Sequence, residues 1–215
     1  MLPLMSRLRK RGQKELALAQ DIMVSELFRI IPKAVLHGGT AIWRCYGSNR
    51  FSEDIDVYLP EDLSNSEDLI KFQKSLENKG FGTIKFREKH RSIYSKFSYS
   101  SIILRFEAVF QNKKTFVTKP FELSDGTFLN INMLSPEELL KEKLATYKER
   151  RKIRDLYDIY FLLRITNGGN LKSSLKEFIK GFKEPVDPEN LEQLVFSGVT
   201  PRMSEMLEGI KRWAE

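Results

Sequence analysis

Arg50-Phe51-Ser52-Glu53-Asp54-Ile55-Asp56-Val57-Tyr58-Leu59 is the stretch on which the fold turns. From Asp54 to Leu59 polar and apolar residues alternate, the period of a strand with one face in a core. Ile55, Val57 and Leu59 take the core face, and Asp54, Asp56 and Tyr58 take the other. Carboxylates at i and i+2 project from the same face, roughly 6–7 Å apart at the backbone. They repel one another unless a cation sits between them, and hard oxygen donors so placed suit Mg²⁺. An alternating edge strand would show the same letters, so the surroundings have to decide.

Upstream, Ala34-Val35-Leu36 reads as a short strand running into Gly38-Gly39-Thr40, with a helix over 40–46 beginning on that turn. Glycines let backbone N–H groups close on phosphate oxygens where a helix N-terminus adds positive potential, although a glycine pair is also an ordinary turn. Downstream, residues 101–110 place Ile102, Leu104, Phe106, Ala108 and Phe110 on one face and Ile103, Arg105, Glu107 and Val109 on the other. An acid in the middle of a strong strand is disfavoured. Glu107 therefore pairs with Arg105 or a cross-strand lysine, or it is a third metal carboxylate and a candidate general base.

Working outward, apolar positions through 13–31 have helical spacing and Pro32 stops it. Residues 66–79 read as a helix ending at Gly80. β patterns follow over about 83–88, 92–99, 101–110 and 127–133, with turn signals at Asn112 and Asp125-Gly126. At Ser135-Pro136-Glu137-Glu138 the texture changes: an N-cap serine, a proline at the first helical position and acids in the first turn start a helix. Helices are expected at 136–149, 153–165, 171–181, 188–195 and 201–214, broken at Asn167-Gly168-Gly169 and Pro185-Val186-Asp187-Pro188. The expected layout is an α/β domain over 1–134 and a helical domain over 135–215.

Within the helical part, Lys143 falls on the stripe Leu139–Lys143–Tyr147, beside Leu140 and Leu144. A lysine on an apolar helix face needs a partner or a phosphate, or it snorkels at the rim. Asp155 and Asp158, spaced i and i+3, share one helix surface and also suit Arg150, Arg151 or Arg154 as ion-pair partners.

Of the 215 residues, 41% are hydrophobic and 30% charged, as in an ordinary folded protein. No apolar run approaches the roughly 20 residues that span a bilayer. MLPLMSRLRKRGQ carries its charges after its apolar residues, the reverse of a secretory signal. The single cysteine, Cys45, excludes an internal disulfide and fits a reducing compartment, so a cytoplasmic location is expected. The net charge of +7 favours polyanionic partners. Cations crowd the N-terminus from Arg7 to Lys14 and the segment Lys141 to Arg154, where a solvated helix face is the plain alternative. His37, His90 and Cys45 are too few and too scattered for a zinc site. No local signature of a Ser–His–Asp triad, a phosphate-binding Gly-Lys-Ser/Thr loop or a dinucleotide-binding glycine motif is present.

Gly38-Gly39-Thr40 followed by Arg50-Phe51-Ser52-Glu53-Asp54-Ile55-Asp56 closely resembles the signature of the nucleotidyltransferase superfamily with the polymerase-beta-like fold. Leu139-Leu140-Lys141-Glu142-Lys143-Leu144-Ala145, then Arg150 and Arg154-Asp155-Leu156-Tyr157-Asp158, resembles the AbiE-type (AbiEii) toxin family, to which the MenT toxins belong. The resemblance spans roughly 35–165, and many members carry aspartate where this chain has Glu107. It implies an α/β (α+β) fold, with a polymerase-beta-like core on a mixed sheet and a helical C-terminal region. It also implies Mg²⁺-dependent transfer of a nucleoside monophosphate from an NTP to an acceptor hydroxyl, with tRNA as the expected acceptor. The implied setting is the toxin of a toxin–antitoxin, abortive-infection system with a cognate antitoxin protein. By the same resemblance Asp54, Asp56 and Glu107 hold two Mg²⁺ ions, Gly38, Gly39, Thr40, Arg50 and Lys143 serve the nucleotide, and Asp155 matches the family's catalytic-site aspartate. The basic clusters agree with RNA. Two alternatives stay open: the same chemistry on a small molecule or protein hydroxyl, and a non-catalytic member that only binds RNA or protein.

Overall fold

The computed structural model describes residues 3–166 and 171–215; the break expected at Asn167-Gly168-Gly169 lies outside the described residues. The chain divides into two units, one of Met1–Gly47 with Phe51–Leu134, the other of Ser48–Arg50 with Ser135–Glu215.

The first unit begins with a single turn, α1 (Leu4–Arg7), and the long helix α2 (Arg11–Ile30), whose stripe Leu16, Ala19, Met23 and Leu27 is buried. The chain then forms β1 (Val35–His37), α3 (Gly38–Cys45) and β2 (Ile55–Leu59). Next come α4 (Glu67–Asn78) and the strands β3 (Gly82–Lys89), β4 (Ser92–Tyr99), β5 (Ile102–Phe110), β6 (Val117–Glu122) and β7 (Phe128–Met133). All seven strands join one mixed sheet in the order β3-β4-β5-β2-β1-β7-β6. β2 runs parallel to β5 and antiparallel to β1, while β1 runs parallel to β7. A long excursion through α4, β3 and β4 thus brings β2 and β5 side by side.

Ile55, Val57 and Leu59 are fully buried, as the alternation requires, and Phe106 of β5 packs against Phe72 of α4 with ring centroids 5.4 Å apart. Ser66 caps α4 by accepting from the Leu69 amide, and Glu67 and Asp68 in the first turn complement the helix dipole. α3 is held to α2 by an ion pair between the buried Arg44 and Asp21, with Trp43 and Phe121 rings 4.8 and 4.5 Å from the guanidinium. Burial pulls the Arg44 pKa down to about 9.

The second unit contains α5 (Pro136–Arg150), α6 (Ile153–Leu163), α7 (Lys172–Lys180), the short α8 (Leu191–Leu194) and α9 (Met203–Ala214). Ser135 accepts from the Glu138 amide with Pro136 at the first helical position, so the predicted start of α5 is the observed one. Tyr147, Phe178 and Phe182 pack as an aromatic cluster with centroids 5.4 to 5.9 Å apart.

Three elements differ from the sequence reading. β6 is a strand that the sequence reading does not assign, in a stretch that carries Pro120 and exposed lysine; as an edge strand it pairs with β7 alone, which tolerates a residue without an N–H. α1 is too short to show a period. The helix expected over 188–195 is a 3₁₀ turn, Pro188–Asn190, followed by α8, because Val195 leaves the helix to bridge Arg50. Phe106→Ala should lower the free energy of unfolding by about 3–5 kcal/mol, the usual cost of deleting a buried phenyl ring, as measured by urea denaturation.

Candidate functional site

The pairing of β2 with β5 sets Ile55 opposite Phe106 and Asp56 opposite Glu107. Asp56 is half-buried and Glu107 exposed, on the face opposite the buried Ile55, Val57 and Phe106. On the other side of β2, His37 of β1 stands opposite Asp56. One row across the sheet therefore reads His37, Asp56, Glu107.

Asp54 enters the same face two residues earlier, and its position is over-determined. The Thr40 hydroxyl donates to the Asp54 carbonyl at 2.5 Å, and Arg105 Nε donates to Asp54 Oδ1 at 2.6 Å. The side-chain amide of Gln20 donates to the carbonyls of Ser52 and Glu53 at 2.9 and 3.2 Å, fixing the approach to β2. Thr40 is fully buried with its hydroxyl turned to the backbone, so its visible role is to hold Asp54. Sequence adjacency makes Arg105 a candidate partner of Glu107; the structure pairs it with Asp54 instead.

Gly38 opens α3 with φ +71°, a left-handed conformation natural only to glycine. A Cβ there would also run into the Asp56 side chain, with Asp56 Cβ and Cγ at 3.0 Å, so glycine is required for the carboxylate to lie against the turn. Two residues beyond Asp56, Tyr58 stacks on His37 (centroids 4.1 Å, planes 17° apart) and receives Lys113 Nζ 4.0 Å above its ring. Tyr58 lines a cleft of about 670 Å³ whose walls carry both cations, Lys33 and Lys113, and acids, Glu61 and Asp62.

In the second unit the predicted Lys143 and Asp155 meet in a buried charge network. Lys143 Nζ lies 3.1 Å from Asp155 Oδ1 and 2.8 Å from Asp158 Oδ2. Arg150 grips Asp155 through two bonds of 2.7 and 2.9 Å. Arg50 grips Asp158 through two more of 2.7 and 2.8 Å. Both aspartates are fully buried, and the Arg50 side chain is only 3% exposed. Burial alone would raise the Asp155 carboxyl; the hydrogen bonds from Arg150 and the charge of Lys143 outweigh it and hold its pKa at about 2. Arg50, expected as a phosphate ligand, thus has its guanidinium on Asp158. Sequence spacing cannot show this tie, since the partners are 108 residues apart.

Asp54, Asp56 and Glu107 are hard oxygen donors of the chemistry a divalent cation takes, and Asp56 and Glu107 share one face of two adjacent strands. Among the described residues no three His, Cys, Asp or Glu groups are placed to hold a metal ion together, and the Arg105 guanidinium supplies positive charge at Asp54. Burial pushes the Cys45 thiol up to about 12.

The family model for the nucleotidyl transferase AbiEii toxin of type IV toxin–antitoxin systems matches residues 22–211. The chain belongs to the AbiEii family. It is therefore a nucleotidyltransferase of a toxin family, with an NTP as the substrate its class implies. Among solved structures, the AbiEii chain is similar to JHP933 from Helicobacter pylori, with a TM-score of 0.57 and 20% identity over 93% of this chain and 89% of that one. It is also similar to MenT4, a nucleotidyltransferase toxin from Mycobacterium tuberculosis, with a TM-score of 0.64 and 17% identity over 94% and 82%. At such identities these likenesses speak for the fold. Comparison with curated proteins finds no match. No described helix of the AbiEii chain is long and apolar enough to cross a membrane.

Asp158→Asn should destabilise the protein by about 3–5 kcal/mol in urea, since it removes the carboxylate charge that Arg50 grips and one of the two that Lys143 bridges, with both cations buried. A carboxyl depressed in the folded state adds stability above its unfolded pKa near 4, and loses it as pH falls toward the folded value. Between pH 4 and about 2 the wild type should therefore lose roughly 2 kcal/mol more than Asp155→Asn does, read from urea midpoints at each pH.

Proposed function

We propose that this chain transfers a nucleoside monophosphate from an NTP to a hydroxyl of RNA, with tRNA as the acceptor, in a Mg²⁺-dependent reaction of a cytoplasmic toxin paired with an antitoxin protein. The observation that carries the reading is the register of β2 on β5, which opposes Asp56 to Glu107 beside the Gly38-Gly39 turn. Asp54, Asp56 and Glu107 are the residues that would hold Mg²⁺, which when bound supplies charge neutralisation on the phosphates and a more acidic acceptor hydroxyl.

The acceptor oxygen attacks the α-phosphorus; the new P–O bond forms as the bond to the β-phosphate oxygen breaks, and pyrophosphate leaves. Glu107, the exposed carboxylate of the row, takes the proton of the attacking hydroxyl. Gly38 and Gly39 give the triphosphate access to the backbone amides that open α3. Thr40 and Arg105 keep Asp54 in place. The family motif that Lys143 matches gives it the nucleotide phosphates, and within the second unit Asp155 and Asp158 fix its ammonium. Arg50 acts through Asp158 and is a positioning residue.

The test is incubation of the full chain with each α-³²P-NTP, Mg²⁺ and total tRNA, beside Asp56→Ala. Label should pass to tRNA with the wild type and fall at least about a hundredfold in the variant, the scale for losing one preorganised electrostatic contact, with RNA binding intact. Equal label from both proteins would refute the site. Turnover of NTP with no label on RNA would move the acceptor to a small molecule or a protein.

A further inference from the structure

The cations that crowd the sequence from Lys141 to Arg154 are largely engaged. Lys141 pairs with Glu138, Lys143 with Asp155 and Asp158, Lys148 with Glu177, Arg150 with Asp155 and Lys152 with Asp187. At the N-terminus Arg7 pairs with Glu122 and Arg11 with Glu15, while Arg9, Lys10 and Lys14, like Arg151 and Arg154, have no ion pair among the described residues. A further set of cations without carboxylates lies together on one face of the sheet.

β3 carries Lys85, Arg87 and Lys89, all exposed and all on one face by the two-residue period. The one acid between Gly82 and Tyr99 is Glu88. It points to the other face, where it accepts from the Ser64 hydroxyl at 3.3 Å and the Asn65 amide at 2.7 Å. Among the described residues no ion pair engages Lys85, Arg87, Lys89 or the neighbouring Lys96 of β4. Lys85 instead stands over the Tyr94 ring, 5.0 Å from its centroid.

The strand register connects this face to the carboxylates. Arg87 is opposite Tyr94, Tyr94 is opposite Glu107, and Glu107 is opposite Asp56. In the next row Lys85 is opposite Lys96 and Lys96 opposite Arg105, which bonds Asp54. The first row crosses two strand spacings, about 10 Å, from Arg87 to Glu107, and three, about 14 Å, to Asp56. Directly paired residues share a face, so cations, an aromatic ring and the reacting carboxylates follow one another along one surface.

We propose that this β3–β4–β5 face is the track on which the acceptor RNA lies, its phosphates on Lys85, Arg87, Lys89 and Lys96 and a base against Tyr94, so that its terminal hydroxyl arrives at Glu107. The proposal rests on the RNA-acceptor reading above and adds where the acceptor binds. Charge complementarity selects a polyanion. The aromatic ring in the row and the end of the row at the carboxylates select a nucleic-acid strand over an acidic protein, since stacking on such a ring is open to any base.

The experiment uses the full chain and the triple variant Lys85→Glu/Arg87→Glu/Lys89→Glu, with the neutral pair Arg87→Gln/Lys89→Gln as a second variant. All of these positions are exposed, and Tm should stay within a few degrees of wild type. Filter binding of total tRNA across a salt series and steady-state transfer are then measured. The triple variant should bind RNA at least about tenfold more weakly, with the slope of log K against log salt reduced by about two to three. The KM for RNA should rise while kcat and the KM for NTP hold. Tyr94→Leu should raise the KM for RNA severalfold, and Tyr94→Phe should restore it. A wild type that labels tRNA beside a triple variant with the same KM and salt slope overturns the track and leaves the proposed reaction standing, and it does so equally if the variant loses an acidic protein partner instead. A wild type that neither binds nor labels RNA removes the acceptor reading first and the track with it.

Discussion

The register of β2 against β5 is the constraint from which the rest of the first unit follows. Because side chains alternate, a slip of one residue would turn Asp54, Asp56 and Tyr58 into the core and bring Ile55, Val57 and Leu59 out. The hydrophobic penalty for that exchange is what holds Asp56 opposite Glu107, two like charges that gain nothing from being close. The carboxylate row is therefore kept in place by the opposite face of the same strands. Arg105 relieves part of the repulsion at Asp54, and Gly38 removes the Cβ that would keep Asp56 off the turn.

The second unit meets the opposite problem. Arg50, Lys143, Asp155 and Asp158 are buried, and taking each charge from water costs several kcal/mol before any attraction is counted. The network answers with two bidentate guanidinium–carboxylate pairs and a lysine bridging the two aspartates. Apolar side chains would fill the same volume at lower risk. What the network secures is orientation, since a bridging ammonium between two fixed carboxylates has little freedom to turn. It also ties the short segment Ser48–Arg50 to the helices, a link reinforced by the Phe196 amide on the Asn49 carbonyl at 2.9 Å.

Much of this can be read in the sequence because much of it is periodic. The alternation through Asp54–Leu59 and through 101–110 predicts which residues face the core, and the burial of Ile55, Val57, Leu104 and Phe106 agrees. Ser135-Pro136 marks the start of α5 because capping chemistry is local. The pairings that are not local leave no trace. Nothing near Arg50 announces Asp158, and nothing near Thr40 announces the Asp54 carbonyl, because each partner is fixed by tertiary folding alone. β6 escapes for a related reason: an edge strand needs no second ladder, so a proline and exposed lysines can occupy it.

The distribution of charge shows how backbone period decides the fate of a basic run. On a helix, positions three and four apart are neighbours, so the lysines and arginines of α5 find acids on their own helix or in adjoining segments and are neutralised. On a strand the same mixture is sorted: in Lys85-Phe86-Arg87-Glu88-Lys89 the three cations go to one face while the acid and the phenyl ring go to the other. A count of charges along the chain ranks Lys141–Arg154 as the denser cluster, yet five of its seven cations are in ion pairs, whereas Lys85, Arg87 and Lys89 of β3 are in none among the described residues. Composition sets how much positive charge the protein has; the two-residue period sets where that charge remains available to a polyanion.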